Sequence, residues 1–264
     1  MVLLKKKERY QPIQGLVSEA TDYNVYFETK RERFSWFLIG MLAGGGLLYI
    51  FYESLIVSLL AGIGCGVAFV PIRRKQVIRK RRQNLTNQFR SFLDSLSTSV
   101  GAGKNMYDAL ESARYDLANQ FGDDADIVVE TKTVLSGIYS NVRIEDMLKH
   151  FAARSGVEDI RNFANVFATS YGPGANTQEG IRNTASIIGD KIQIQMELET
   201  MVAGQKNEMN IMLVMPVLFI VVMKNMGDGL VDLSSPTGLL SVTAALALFI
   251  LAYFVGQKIT DIKL

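Results

Sequence analysis

Four long apolar runs constrain this chain more than any other feature. The first, FSWFLIGMLAGGGLLYIFY, runs from Phe34 to Tyr52. As a helix it would extend about 28 Å, close to the hydrocarbon thickness of a bilayer. After Glu53 comes SLIVSLLAGIGCGVAFVPI, Ser54 to Ile72, so close that the two must form a tight hairpin. The third, MNIMLVMPVLFIVVM, Met209 to Met223, is short and holds Pro216. A kink is expected there, and the helix upstream should lengthen it. The fourth, TGLLSVTAALALFILAYFVG, spans Thr237 to Gly256. A cleaved signal peptide fits the first run poorly, because 33 mostly polar residues precede it.

Basic residues set the expected orientation. RRKQVIRKRR directly follows the second run; Arg73, Arg74, Lys75, Arg79, Lys80, Arg81 and Arg82 form it without one acid. KRER precedes the first run, and Lys258 and Lys263 follow the fourth. The opposite loops hold Glu53 in one and Lys224, Asp228 and Asp232 in the other. The positive-inside rule therefore puts both termini and the 73–208 segment in the cytoplasm. The seven basic residues read as a collar for membrane lipid headgroups, with a nucleic-acid patch as the rival reading. Gly40/Gly44 and Gly62/Gly66 each make a GxxxG that allows close helix approach. No charge interrupts the first, second or fourth run, which weighs against a transport pathway.

Between Gln83 and Asn207 the chain carries 11 Lys/Arg and 16 Asp/Glu. An acidic body of this kind does not suit nucleic-acid binding. Six helical stretches fit its apolar spacing: about 84–100, 106–118, 125–139, 144–154, 158–171, and a long one from 177 that should continue into the third apolar run. Phe89, Phe92, Leu93, Leu96 and Val100 share one face; Met106, Ala109, Leu110, Ala113 and Leu117 share the next. Ile144, Met147, Leu148 and Phe151, then Ile160, Phe163, Ala164, Phe167 and Tyr171, then Ile181, Ala185, Ile188 and Ile192 continue the pattern. Such stripes are a bundle core and need no cofactor. The expected fold is an all-α membrane protein with four transmembrane helices and a cytoplasmic six-helix bundle between the second and third. Its segments are 1–33, an N-terminal cytoplasmic piece; 34–72, a transmembrane hairpin; 73–208, the bundle; 209–256, a transmembrane pair; and 257–264, a cytoplasmic tail.

Chemistry-bearing residues are scarce. Cys65 and His150 are the only residues of their types, so a disulfide framework and a cysteine metal cluster lack members, and a Cys–His nucleophile pair is not expected because Cys65 sits inside an apolar segment and His150 in a polar one. Asp/Glu pairs exist, but no spacing singles one out. No cofactor, metal site or enzymatic activity is expected. STSVGAGKNMYDALESA, residues 97–113, contains Gly-x-Gly-Lys, yet it fails as a P-loop. Asn105 follows Gly103-Lys104 where a Ser or Thr hydroxyl should bind magnesium, and the flanking spacing is helical on both sides. Gly101 and Gly103 read as a helix end and turn, and Asn105 with Asp108 as a capping pair. KNMYDAL (104–110), VRIEDML (142–148) and ANTQEGI (175–181) align as three similar helix starts, each with an acid two residues before Leu110, Leu148 or Ile181. The turns VGAGKN and YGPGAN are candidate partner contacts, through Gly101, Gly103, Lys104 and Asn105 and through Gly172, Gly174 and Asn176.

The stretch NQFRSFLDSLSTSVGAGKNMYDALESA, followed by VLSGIYSNVRIEDMLKHFAARSGVEDIRNFANVFATSYGPGANTQEGIRNTASIIGDKI and a helix with VMPVLF, resembles the type II secretion system F domain family. The layout is similar to the TadB and TadC platform proteins of Tad/Flp pili, TadB being the closer fit. YGPGAN departs from the family's Thr-Gly-Gly-Asn type of turn: Gly174 and Asn176 keep part of it, Pro173 does not. The resemblance implies a platform in the inner or cytoplasmic membrane. Its implied partners are a cytosolic hexameric secretion ATPase, pilin subunits, membrane lipids, and a second TadB/TadC-like protein or further copies of itself. The alternative from another class is a small transporter or channel with a regulatory domain.

Overall fold

A computed structural model describes residues 12–17, 19–52, 54–171 and 177–225, and scattered helical positions between 238 and 256. Among the described residues the regular structure is helical apart from one small hairpin, in which β1 (Pro12–Gln14) pairs antiparallel with β2 (Glu19–Thr21), Ile13 opposite Ala20. Seven helices follow among the described residues: α1 (Lys30–Tyr52), α2 (Leu55–Gly101), α3 (Met106–Phe121), α4 (Asp126–Tyr139), α5 (Ile144–Ser155), α6 (Glu158–Ser170) and α7 (Thr177–Asn225). The second apolar run and the stretch read as a separate helix over 84–100 are one helix of 47 residues, continuing across Pro71. α7 likewise continues across Pro216 over 49 residues. Three helices, α1, α2 and α7, are long and apolar enough to cross a membrane. Nine of the twenty residues of the expected fourth run, and the whole 257–264 tail, lie outside the described residues.

The chain divides into two compact units. The first holds the described residues up to Glu28 together with Arg74–Ile194. Its core is built from the expected stripes. Leu85, Phe89, Leu93 and Leu96 of α2 are buried, as are Leu110 and Leu117 of α3, Met147, Leu148 and Phe151 of α5, Phe163 and Phe167 of α6, and Ile181 and Ile192 of α7. Tyr171 departs from the pattern, being only partly buried at the end of α6. Ile127, Val128, Val134 and Leu135 supply the α4 face. Phe89, Phe92 and Phe163 meet at centroid distances of 5.6, 5.7 and 6.4 Å in stacked and edge-on pairs. Aromatic pairs at this spacing add about 0.5–1.5 kcal/mol beyond their buried area. They join α2 to α6, which are far apart in sequence.

The second unit holds Thr29–Arg73 and the described residues from Gln195 onward. Its two N-terminal helices approach through their glycines. A Cβ placed on Gly62 would lie 3.2 Å from the Gly45 Cα, and one on Gly40 would lie 3.1 Å from the Gly66 Cα. The Ser58 hydroxyl donates to the Gly45 carbonyl at 2.5 Å. Backbones this close gain dispersion contacts that larger side chains would prevent. The outward residues remain apolar: Leu42, Leu55, Ile56, Leu60 and Val67 are all exposed.

Candidate functional site

Two features of the first unit are built from residues with functional potential. One is the pair of corners joining α2 to α3 and α4 to α5. The other is a polar network where α2 enters the unit.

At the first corner the Gly103 N–H bonds the Val100 carbonyl at 3.0 Å and the Lys104 N–H bonds Ser99 at 3.2 Å. These are the paired bonds of a Schellman cap, which requires a left-handed residue; Gly103 supplies it at φ +84°. The second corner repeats this geometry: Asn141 at φ 58° bonds Ile138 at 3.0 Å, and Val142 bonds Gly137 at 2.9 Å. Asparagine is the non-glycine residue best suited to that conformation. Each new helix starts three residues after its left-handed residue and has an acid in its first turn, Asp108 and Asp146. Asn105 accepts from the Asp108 N–H at 2.9 Å, the expected capping bond. Arg143 instead pairs its guanidinium with Asp146 at 3.1 Å. That bond, with the neighbouring acids, holds the Arg143 side chain protonated to still higher pH than usual, and it lowers the Asp146 carboxyl. The two aligned helix starts therefore share a corner geometry and differ in their caps.

Gly101, Gly103, Lys104 and Asn105 are exposed at the first corner, and the Lys104 ammonium donates to Ser112 at 2.7 Å. Gly172, Gly174 and Asn176, the candidate contacts of the third turn, lie outside the described residues. A tyrosine pair between the two corners has no signature in the sequence, since its members stand on different helices. Tyr107 donates to the Tyr139 hydroxyl, and the rings meet edge-on at 5.4 Å. That bond, on the donor's proton, raises the Tyr107 hydroxyl to about 12. Tyr139 is 76% exposed, so this end of the unit offers an aromatic surface.

At the other end, the N-terminal segment enters the fold. Tyr23 is fully buried, its hydroxyl donating to Glu130 of α4 at 2.9 Å. Arg154 of α5 grips the same carboxylate at 2.9 and 2.7 Å and also donates to the Thr21 carbonyl at 2.7 Å. The Tyr23 N–H and the Asn24 amide both donate to the Arg154 carbonyl at 3.1 Å. Glu130 and Arg154 are 3% and 5% exposed, so each charge depends on the other for compensation. Burial above all, helped by the adjacent Glu130 charge, pushes the Tyr23 phenol well above its ordinary value. His150 accepts from the Arg154 Nε at 3.1 Å. Partial burial first, and the Arg154 charge second, lower its imidazole below the usual range. The single histidine thus packs in a polar network, and no group of three or more metal-ligating side chains occurs among the described residues.

The basic run divides at this network. Arg73, Arg74, Lys75, Arg79 and Lys80 are exposed along α2. Arg81 and Arg82, expected in the same headgroup collar, turn inward instead. Arg81 binds Asp126 bidentately at 3.0 and 2.6 Å and lies 4.5 Å from the Tyr23 ring centroid. Arg82 donates to the Asn24 side chain. Gly156, at φ +64°, lets α5 end beneath them; a Cβ there would stand 2.7 Å from the Arg82 guanidinium carbon. The physical reason is partner supply: an acid and an aromatic face stand within reach, and a bidentate carboxylate pair holds arginine well.

No protein-family model, no curated protein and no solved structure matches this chain.

Proposed function

We propose that this chain is a platform protein of the cell membrane, of the TadB/TadC kind within the type II secretion system F domain family. In this reading it has four membrane spans, the last being 237–256, with both termini in the cytoplasm. The first unit is a cytoplasmic six-helix bundle. It receives the push of a cytosolic secretion ATPase and passes it to pilin subunits leaving the bilayer for a Tad/Flp-type filament. The protein would work beside a second platform protein or further copies of itself, without enzymatic activity of its own.

One observation carries this reading. α2 and α7 each combine, in one uninterrupted helix, a stretch that lines the core of the first unit and a stretch apolar enough for a bilayer. A helix transmits displacement along its axis through its ladder of backbone hydrogen bonds, of which Pro71 and Pro216 each remove one. Two such helices suit a part that is moved by another. The repeated corners and the exposed Tyr107–Tyr139 surface provide a rigid place for the mover to act.

The test is site-specific photocrosslinking in living cells from Lys104 and Tyr139, with Ile56 as a membrane-facing control. Adducts to a hexameric secretion-type ATPase from the first two positions, and not from Ile56, are the expected result. Absence of such adducts under conditions that crosslink a known ATPase complex would overturn it. So would solute movement by the purified protein alone in liposomes.

A further inference from the structure

The inward turn of Arg81 and Arg82 places two basic side chains at a choice between two partners. Within the first unit they are held by Tyr23, Asn24 and Asp126. Along α2 they directly continue the exposed Arg73, Arg74, Lys75, Arg79 and Lys80. Arg81 lies about 14 Å beyond Ile72, the end of the apolar run, at the helical rise per residue. A long arginine side chain that leans back toward the bilayer reaches the headgroup layer from there.

We infer that residues 20–28 are a docked strap that competes with anionic lipid headgroups for Arg81 and Arg82. This rests on the reading of α2 as a membrane helix. With the strap seated, the Tyr23 ring covers Arg81 and the Asn24 side-chain Oδ1 occupies Arg82. With the strap lifted, Asn24 and Tyr23 leave both guanidiniums, and a phosphodiester takes their place. Asp126 remains with Arg81 in either state, so Arg82 changes hands more completely. The strap begins within β2, so the hairpin moves with it, and it seats two buried tyrosines, Tyr23 and Tyr26. Its anchor, Tyr23, meets Arg154 and Glu130, which keep their own bidentate pair when the tyrosine departs. Neither buried charge is then stranded, which keeps the lifted state accessible. Because lipid binds the lifted state better, it must by linkage weaken strap docking, and a tightly docked strap must weaken lipid binding by the same factor.

The experiment is hydrogen exchange of the full chain in nanodiscs of phosphatidylcholine, with and without phosphatidylglycerol. Exchange at 20–28 should quicken roughly fivefold for each arginine the surface gains, so up to about thirtyfold with phosphatidylglycerol. Amides of Phe89 and Leu93 should stay slow throughout, reporting an intact core. The double variant Arg81→Gln/Arg82→Gln should abolish the lipid response, whereas Arg79→Gln/Lys80→Gln should retain it. Equal strap exchange in both lipids would overturn the proposal, as would a lipid response that survives the loss of Arg81 and Arg82. Inorganic phosphate acting as strongly as phosphatidylglycerol in phosphatidylcholine discs would overturn the assignment to lipid. Failure of the membrane reading itself is separately visible, as unprotected amides over 55–72 in every disc.

Discussion

Leu60 and Leu93 are the same residue in the same helix, yet Leu60 is 67% exposed and Leu93 is wholly buried. The two halves of α2 differ in what surrounds their leucines in sequence. Around Leu60 nearly every position is apolar or glycine, so no face is left over for water. Around Leu93 apolar residues alternate with Arg90, Asp94 and Ser95, so one face turns inward and the other carries charge. An amphipathic stripe calls for protein on one side; an all-round apolar helix calls for an apolar solvent on the other. The contrast repeats in how each region achieves close packing. The first unit uses interlocking aromatics, and the hairpin of α1 and α2 uses the absence of side chains at Gly40, Gly45, Gly62 and Gly66.

The starkest test is the same substitution in both halves. Leu93→Ala should cost about 4 kcal/mol of stability, because the cavity cannot collapse in a tightly packed core. Leu60→Ala should cost under about 0.5 kcal/mol, since it removes no buried contact. Denaturant midpoints of the full chain in detergent would measure both, and equal costs would erase the distinction. Next in size, Glu130→Gln should lose about 3 kcal/mol by leaving the Arg154 charge uncompensated in the interior. The same measurement with Glu111→Gln, an exposed acid of α3, should show almost no change.

The hairpin has its own weak point. Gly45→Leu should cost about 2 kcal/mol, because its side chain would press on the Ser58 carbonyl 3.1 Å away. Gly46, where a side chain meets nothing within 4 Å, should accept leucine without loss. Loss of α1–α2 proximity in Gly45→Leu alone, read by spin-label distance in bilayers, would confirm the asymmetry. The smallest effect concerns pH. Partial burial first, and the Arg154 charge second, disfavour the protonated form of His150 in the folded protein. The unfolded chain takes up its proton from about pH 6.5 downward, before the folded one does. Its contribution is therefore intact above pH 6.5 and is lost as pH falls toward the lowered folded value. His150→Gln should reduce the stability difference between pH 7.5 and pH 5.5, and an unchanged difference would show that His150 does not contribute to it.

Much of the fold is legible in the sequence because it is local. The helix starts at Met106, Ile144 and Thr177 coincide with those that capping residues and periodicity indicate. The turn at Gly103 needs only a glycine in the left-handed region and an asparagine to cap α3. Two features are not legible in this way. The N-terminal segment reads as a polar lead-in, since its four aromatics, Tyr10, Tyr23, Tyr26 and Phe27, make no periodic stripe among polar residues. The basic run reads as uniform, since nothing in RRKQVIRKRR separates its last two arginines from the others.

The sequence by itself determined where helices form, their apolar faces, and four apolar runs, three of which lie in helices long and apolar enough for a membrane among the described residues. Each arises from residues within a few turns of one another, where helical geometry fixes the neighbours. What only the tertiary structure decided is the fate of the charged and aromatic residues near the entry of α2. Tyr23 and Glu130 are 107 residues apart, Asn24 and Arg154 are 130 apart, and Arg81 and Asp126 are 45 apart. A side chain with several potential partners takes the one that folding brings within hydrogen-bond reach. No local pattern records that choice, because it depends on how helices distant in sequence come to lie side by side.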